Sequence, residues 1–157
     1  METTRHFVAT VYVVNDGATA LHPHDKLDMW LPPGGHIDRD ELPHEAARRE
    51  VREETGREVE LHAESGDLTS ATAESLPEPA AFLLEDIDVH DGRVAHQHVD
   101  FVYFGTVSTR SFEPAPGESL AAEWSWFTPA ELDDRRDEFA GDVVELGRRA
   151  IEAVAER

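Results

Sequence analysis

The stretch that decides the fold is GHIDRDELPHEAARREVREETGR, residues 35–57. Pro43 suits the first turn of a helix, where a missing N–H leaves no gap in the hydrogen-bond ladder. Asp40 and Glu41 lie where the helix dipole favours anions, and Gly56 is a natural C-terminal cap. The segment 43–55 therefore reads as a helix. At about 100° per residue, with Glu50 at zero, Glu54 lies near +40° and Glu53 near −60°. The apolar residues Ala46, Ala47 and Val51 fall at about −40°, +60° and +100°. Glu45, Arg48 and Arg52 occupy the far side. Three carboxylates thus share the half of the helix that faces the protein body.

A solvated acidic face is the plain alternative, and it fails on position, because the solvated side is the one carrying Arg48 and Arg52. Like charges at i,i+4 cost roughly 0.2–0.5 kcal/mol when exposed, and far more when partly buried and unpaired. A divalent cation removes that penalty. Carboxylate oxygens in a chain with no cysteine suit a hard ion, Mg²⁺ first and Mn²⁺ next. Mg²⁺ held by a few carboxylates usually bridges to substrate phosphates. The helix therefore points to phosphoryl or diphosphate chemistry.

The rest of the composition narrows the field. The 157 residues are a one-domain length, with 34 acidic and 14 basic residues and a formal charge of −20. Duplex nucleic acid and anionic membranes are poor partners for such a chain. The lack of cysteine excludes disulfides, thiolate metal sites and cysteine nucleophiles. Lys26 is the single lysine among the basic residues. Acid excess with lysine scarcity reads as adaptation to a salt-rich cytosol, where screening relieves self-repulsion. The simpler reading is an acidic protein from an arginine-rich genome. No apolar run approaches a membrane span. Phe7 to Val14 runs into Asn15-Asp16-Gly17, a strand meeting a turn and not a signal peptide. A soluble, cytoplasmic protein is expected.

Outward from the helix, Phe7–Val14 reads as a strand, His22–Asp28 as a loop and Met29–Leu31 as a short strand. Pro32-Pro33-Gly34-Gly35 should stop regular structure. Val59–Ala63 is a candidate strand and Ser65–Pro79 a loop. Ala80–Val89 and Val94–Val107 read as strands joined at Asp91-Gly92. Arg110–Ser119 is a second loop and Ala122–Phe127 a strand. Thr128-Pro129-Ala130-Glu131 is a capping box, opening helices over about 129–136 and 141–155. Strands, helix, strands, helices: the order describes one α/β (α+β mixed) domain, 1–157, with helices flanking a mixed sheet.

The pattern Gly35-x5-Glu41-x7-Arg49-Glu50-Val51-Arg52-Glu53-Glu54-Thr55-Gly56 resembles the signature box of the Nudix (MutT-like) hydrolases. The departure is Arg57, where that family prefers an aliphatic residue. The lead-in Trp30-Leu31-Pro32-Pro33-Gly34-Gly35-His36 is also similar. The resemblance implies the Nudix fold, an α-β-α sandwich around a central mixed sheet. It implies that Glu50, Glu53 and Glu54 ligate Mg²⁺, with Mn²⁺ as a substitute, and that the Gly34 carbonyl adds a ligand. Arg49 would orient Glu50, although spacing also allows a pairing with Glu45 or Glu53. Glu41 would act in the outer shell or contribute to a metal site. Gly35 and Gly56 read as turn and cap.

The family cleaves a nucleoside diphosphate linked to another group by attack of water at phosphorus, a pyrophosphatase chemistry. The base that takes the water's proton varies. Here Glu118, in a Pro/Gly loop, and Glu123 are candidates beside the box glutamates. Nucleoside triphosphates, oxidised dGTP among them, and ADP-ribose all remain open as substrates. Homodimers are common among similar proteins. The competing class is a non-catalytic Nudix-fold nucleotide-binding module, which the intact Glu41, Arg49, Glu50, Glu53 and Glu54 set disfavours. Isomerase chemistry on this fold would need a catalytic cysteine.

His96-x-His98-x-Asp100 is the second feature, with all three on one face of a strand. It reads as a substrate-binding stripe touching phosphate or ribose, or as ordinary hydrogen-bonded strand residues. A zinc site completed by His22 or His24 is a further reading. Trp30, Trp124 and Trp126 read as core and not as base-stacking platforms.

Overall fold

The computed structural model describes residues 2–24 and 29–156. Eight strands form one sheet: β1 (Thr4–Asn15), β2 (Ala18–His24), β3 (Met29–Leu31), β4 (Gly34–His36), β5 (Glu60–Leu61), β6 (Ala81–His90), β7 (Arg93–Thr106) and β8 (Ser125–Phe127). Among the described residues three α-helices accompany them, α1 (Pro43–Thr55), α2 (Pro129–Asp134) and α3 (Gly141–Ala155). The main path runs β3-β2-β1-β7-β5, with β4 on β1, β6 on β7 and β8 on β2. The central pair β1–β7 is parallel and holds eleven registered residues, from Thr4↔His96 to Val14↔Thr106. The other pairings are antiparallel. The sheet is therefore mixed.

Alternation along β1 divides the core. Ala9, Val11 and Val13 pack with Ala46, Ala47 and Val51 of α1 on one face. Tyr12 and Val14 pack with Val143, Val144 and Ile151 of α3 on the other. The α1 face is lined by small side chains, so that helix lies close to the sheet. The wheel holds: Ala46, Ala47, Val51 and Thr55 are buried, while Glu45, Arg48 and Arg52 are exposed. The helix starts without a side-chain cap on Leu42. Instead Glu45 reaches back to accept from the Leu42 N–H at 2.8 Å.

Several local expectations are corrected. His22–His24 belongs to β2, because Leu31, Trp30 and Met29 supply a facing strand; residues 25–28 of the expected loop lie outside the described residues. Pro32-Pro33 does end β3, but Gly34–His36 resumes as β4 against Val8–Thr10. Gly35 is therefore a strand residue and not a turn, and it lacks a positive φ. Its need for glycine is steric, since a Cβ there would meet the Glu50 carboxylate. The strand expected at Val59–Ala63 keeps only Glu60–Leu61, opposite Thr106 and Gly105. Ala121–Glu123 is a 3-10 turn before the shortened β8.

Gly56 does cap α1, at φ 72°, and its N–H donates to Arg52 O at 2.9 Å. A Cβ at this position would also collide with the Glu113 carbonyl. Gly56→Ala should therefore cost about 1–3 kcal/mol, the scale of a strained left-handed residue. Urea unfolding measures it, and an unchanged midpoint refutes the account.

Candidate active site

The second and third turns of α1 face β4, and the contact is made by polar atoms. Glu54 Oε2 accepts the Gly34 N–H at 2.8 Å, and Glu50 lies over Gly35. Burial pushes the Glu54 carboxyl up to about 8, with the charges of Glu50, Glu118 and Glu53 adding to it and the Gly34 N–H opposing. Burial also raises Glu50, against the pull of Arg49. Burial thus makes negative charge costly at both positions.

Arg49 organises the group. Its Nε and Nη2 donate to the two oxygens of Glu41 at 2.7 and 2.9 Å. Nη1 donates to Glu50 Oε1 at 3.0 Å and to Glu53 Oε2 at 3.2 Å. Nη2 also reaches the His36 carbonyl at 2.9 Å. The alternatives left open by spacing thus resolve toward Glu41, Glu50 and Glu53, with Glu45 engaged at the helix start. The guanidinium is held protonated, by the Glu41 hydrogen bond above all. Glu41 in turn is held below the usual carboxylate range by Arg49. One arginine shared with Glu41 leaves Glu50, Glu53, Glu54 and Glu118 as an under-compensated set of oxygen donors. Among the described residues no three metal-ligating side chains are already closed around one point. The donors are long, rotatable glutamates.

The loop carrying Glu118 is tied to the end of α1. Glu113 N–H donates to Thr55 O at 2.7 Å and Ala115 N–H to Glu53 O at 2.8 Å. Arg57, the residue that departs from the box pattern, donates from Nε to Ser111 O at 2.5 Å and lies 3.5 Å from Glu113. Its place is taken by polar anchoring of this loop and not by apolar packing. Glu118 then contributes charge to both Glu50 and Glu54. Glu123 sits in the 3-10 turn beyond.

His96, His98 and Asp100 do share a face of β7, the α3 side. Asp100 is only 3% exposed. Its Oδ2 accepts from Thr10 Oγ1 at 2.9 Å, and it is hydrogen-bonded to Glu85 of β6, whose carboxyl burial and Asp100 push up to about 9. Burial raises Asp100 as well. Glu85 was invisible in the sequence because only the β6–β7 register sets it beside this face. The rings of His96 and His98 meet His6 and His36. His22 instead packs on Trp124, 4.5 Å between centroids. Trp124 is buried, and Trp30 and Trp126 pack against the two cores.

A sheet sandwiched by helices, with a Gly-Gly strand over a glutamate-bearing helix, defines a class. The sequence profile of the NUDIX domain matches residues 4–147. The chain belongs to the Nudix family, and it is a hydrolase of phosphorus-containing acid anhydrides. Among solved structures, a NUDIX-family hydrolase from Clostridium perfringens is 29% identical, with a TM-score of 0.80 over 96% of this chain and 99% of that one. The mutator MutT protein of Bacillus halodurans is 20% identical, with a TM-score of 0.61 over 91% and 84%. A MutT NUDIX hydrolase from Burkholderia pseudomallei, also 20% identical with a TM-score of 0.61, covers 96% and 98%. These last two likenesses show the fold. No curated protein matches the sequence significantly. Nudix hydrolases act on small nucleotide substrates and generally use divalent metals. Among the described residues no helix is long and apolar enough to cross a membrane.

The pKa directions set a pH dependence. Glu54 and Glu85 ionise near 8 and 9 in the folded protein, against an ordinary 4.5. The folded state therefore holds protons that the unfolded chain has released. The contribution of these two groups is therefore full below about 4.5 and is lost as pH rises toward about 9, opposite in sign to that of a depressed carboxyl such as Glu41. Melting of the metal-free protein should show this decline, and Mg²⁺ should restore part of it at the alkaline end. Glu54→Gln should flatten both the decline and the recovery; a midpoint independent of pH contradicts the assignment.

Proposed function

We propose that the chain is a Mg²⁺-dependent hydrolase of a nucleoside diphosphate linked to another group, with water attacking phosphorus. Nucleoside triphosphates, including oxidised dGTP, and ADP-ribose are the substrates to try first. The observation that carries this reading is the gathering of Glu50, Glu53 and Glu54 against β4, with Glu54 on the Gly34 N–H, Glu50 over Gly35 and Arg49 bonded to Glu50 and Glu53. Oxygen-only donors of this charge fit Mg²⁺ or Mn²⁺. Glu50, Glu53 and Glu54, with the Gly34 carbonyl, would hold the metal. When bound, the ion would neutralise charge on the diphosphate and acidify water.

The protein's own groups do the rest. Arg49 fixes Glu50 and Glu53 through its Nη1 and keeps Glu41 in place through Nε and Nη2. The Gly34 N–H holds Glu54 at one oxygen and leaves the other free to turn outward. Glu118 serves as the general base. It takes the proton from water as the new oxygen–phosphorus bond forms. The anhydride P–O bond then breaks, and the leaving phosphate departs with the bond's electrons. The loop's anchorage through Ala115 and Arg57 supports this role, since a base works only within about 2.6–3.2 Å of its proton.

A phosphate-release screen of nucleotide diphosphates identifies the substrate. Hydrolysis in ¹⁸O-water should then label a phosphate product, and label on a sugar or alcohol would refute attack at phosphorus. Glu53→Gln should lower turnover about 10²- to 10⁴-fold, or about 3–5 kcal/mol of barrier, and weaken Mg²⁺ binding. Glu118→Gln should lower kcat by ~10²- to 10⁴-fold while leaving Mg²⁺ affinity nearly unchanged. A kcat for Glu118→Gln close to wild type removes it as the base.

We also propose that the charge of −20 is an adaptation to a salt-rich cytoplasm. Repulsion among the surface acids is screened at molar salt, where the Debye length is about 3 Å. The melting midpoint should rise steeply from low to molar KCl, and an unchanged midpoint sinks the idea.

A further inference from the structure

Four imidazoles meet at the end of the sheet that α3 leaves uncovered. They come from three neighbouring strands: His6 from β1, His36 from β4, and His96 and His98 from β7. The register explains the meeting. His6 stands opposite His98 and Thr4 opposite His96 in the parallel β1–β7 pair. His36 stands opposite Val8 in the antiparallel β1–β4 pair. Side chains at these positions project to one face of the sheet. The rings close a quadrilateral. Centroid separations are 5.0 Å for His6–His36, 5.4 Å for His36–His98, 5.1 Å for His98–His96 and 4.6 Å for His96–His6. Neighbouring planes are inclined by 73–90°.

We propose that His6, His36, His96 and His98 form a binding site for a borderline-soft divalent cation such as Zn²⁺, separate from the glutamates of α1. Zinc holds imidazole nitrogen at about 2.0–2.1 Å in tetrahedral geometry, which places neighbouring ligand nitrogens about 3.3 Å apart and ring centroids about 5 Å apart. His6 Nδ1 and His36 Nε2 lie 3.3 Å apart, joined by an N–H···N hydrogen bond that an ion would replace. The four ring separations match the second figure. No three of these side chains converge on one point as they stand, so an ion would have to draw the rings together by side-chain rotation.

The surroundings support the assignment. Thr4 Oγ1 is 2.8 Å from His96 Nδ1, the kind of outer contact that fixes a ligand's tautomer and frees Nε2. His6 and His36 are exposed and His96 and His98 half-buried, which leaves a path from solvent. Carboxylates, which favour Mg²⁺ and Ca²⁺, are not among the four rings, and imidazole favours zinc, copper and nickel. The overall charge of −20 raises the local concentration of cations. His36 is also bound through its carbonyl to Arg49, while its ring lies on the sheet face opposite the Glu50 contact at Gly35.

The test uses the full-length chain without an affinity tag. Calorimetric titration with Zn²⁺ is run in excess Mg²⁺, so that the glutamates are already engaged. One Zn²⁺ per chain should bind with micromolar affinity or better. Co²⁺ as a probe should give the intense visible bands of a tetrahedral nitrogen site, which a six-coordinate carboxylate site lacks. His6→Ala and His98→Ala should each weaken binding by at least the ~10- to 100-fold that loss of an outer contact alone causes. Circular dichroism and melting check that both variants fold. Glu53→Gln should leave Zn²⁺ binding unchanged. Binding that vanishes with Glu53→Gln, or survives both histidine variants, overturns the proposal. So does a protein that ignores Zn²⁺ in Mg²⁺ while the histidine variants raise KM for nucleotide, since the stripe is then a substrate contact.

Discussion

The close approach of α1 to β4 is the constraint on which the rest depends. It is made possible by what is missing from Gly34 and Gly35. A Cβ at Gly34 would press on the Ala9 carbonyl at 2.6 Å, and one at Gly35 would meet the Glu50 carboxylate. Without those atoms the strand offers a bare N–H to Glu54 and a surface against which Glu50 lies. The small residues Ala46 and Ala47 bring the helix near enough for this, against Ala9 and Val11. Packing and chemistry are thus one arrangement: the helix that closes the core also presents the acids.

That arrangement costs electrostatic energy, and the structure spreads the cost instead of removing it. Arg49 is committed on every side, to Glu41, Glu50, Glu53 and the His36 carbonyl. It has no spare donor for Glu54, whose carboxyl burial pushes up to about 8. Arg57 extends the same logic beyond the helix. A polar residue where the family prefers an apolar one ties down the loop through Ser111 and Glu113. The loop's own N–H groups then finish the carbonyls of α1, through Thr55 and Glu53.

The opposite face of the sheet repeats the theme with different groups. Glu85 and Asp100 stand side by side, and burial raises both carboxyls. Next along the same strands the four histidines gather. Both clusters arise where β7 carries polar residues at alternate positions between neighbours that carry them too, and where α3 has ended. The parallel β1–β7 pair is what aligns Thr10 with Asp100's end of the strand and Thr4 with His96.

The sequence by itself determined the helix 43–55, its caps, the inward side of its three glutamates and the family. These follow from local rules: spacing along one helix, a proline and a glycine at its ends, and a pattern of residue types. The hairpin at Asp91-Gly92 and the capping box at Thr128 were legible for the same reason. Tertiary structure alone decided which acid Arg49 holds, that Gly35 is a strand residue, and that His22–His24 joins β2. It also decided the Glu85–Asp100 pair and the meeting of His6 with His36, His96 and His98. The Glu85–Asp100 pair and the histidine cluster depend on register between strands distant in the chain. A one-residue slip would reverse which face every side chain takes, and nothing within a single segment encodes that register.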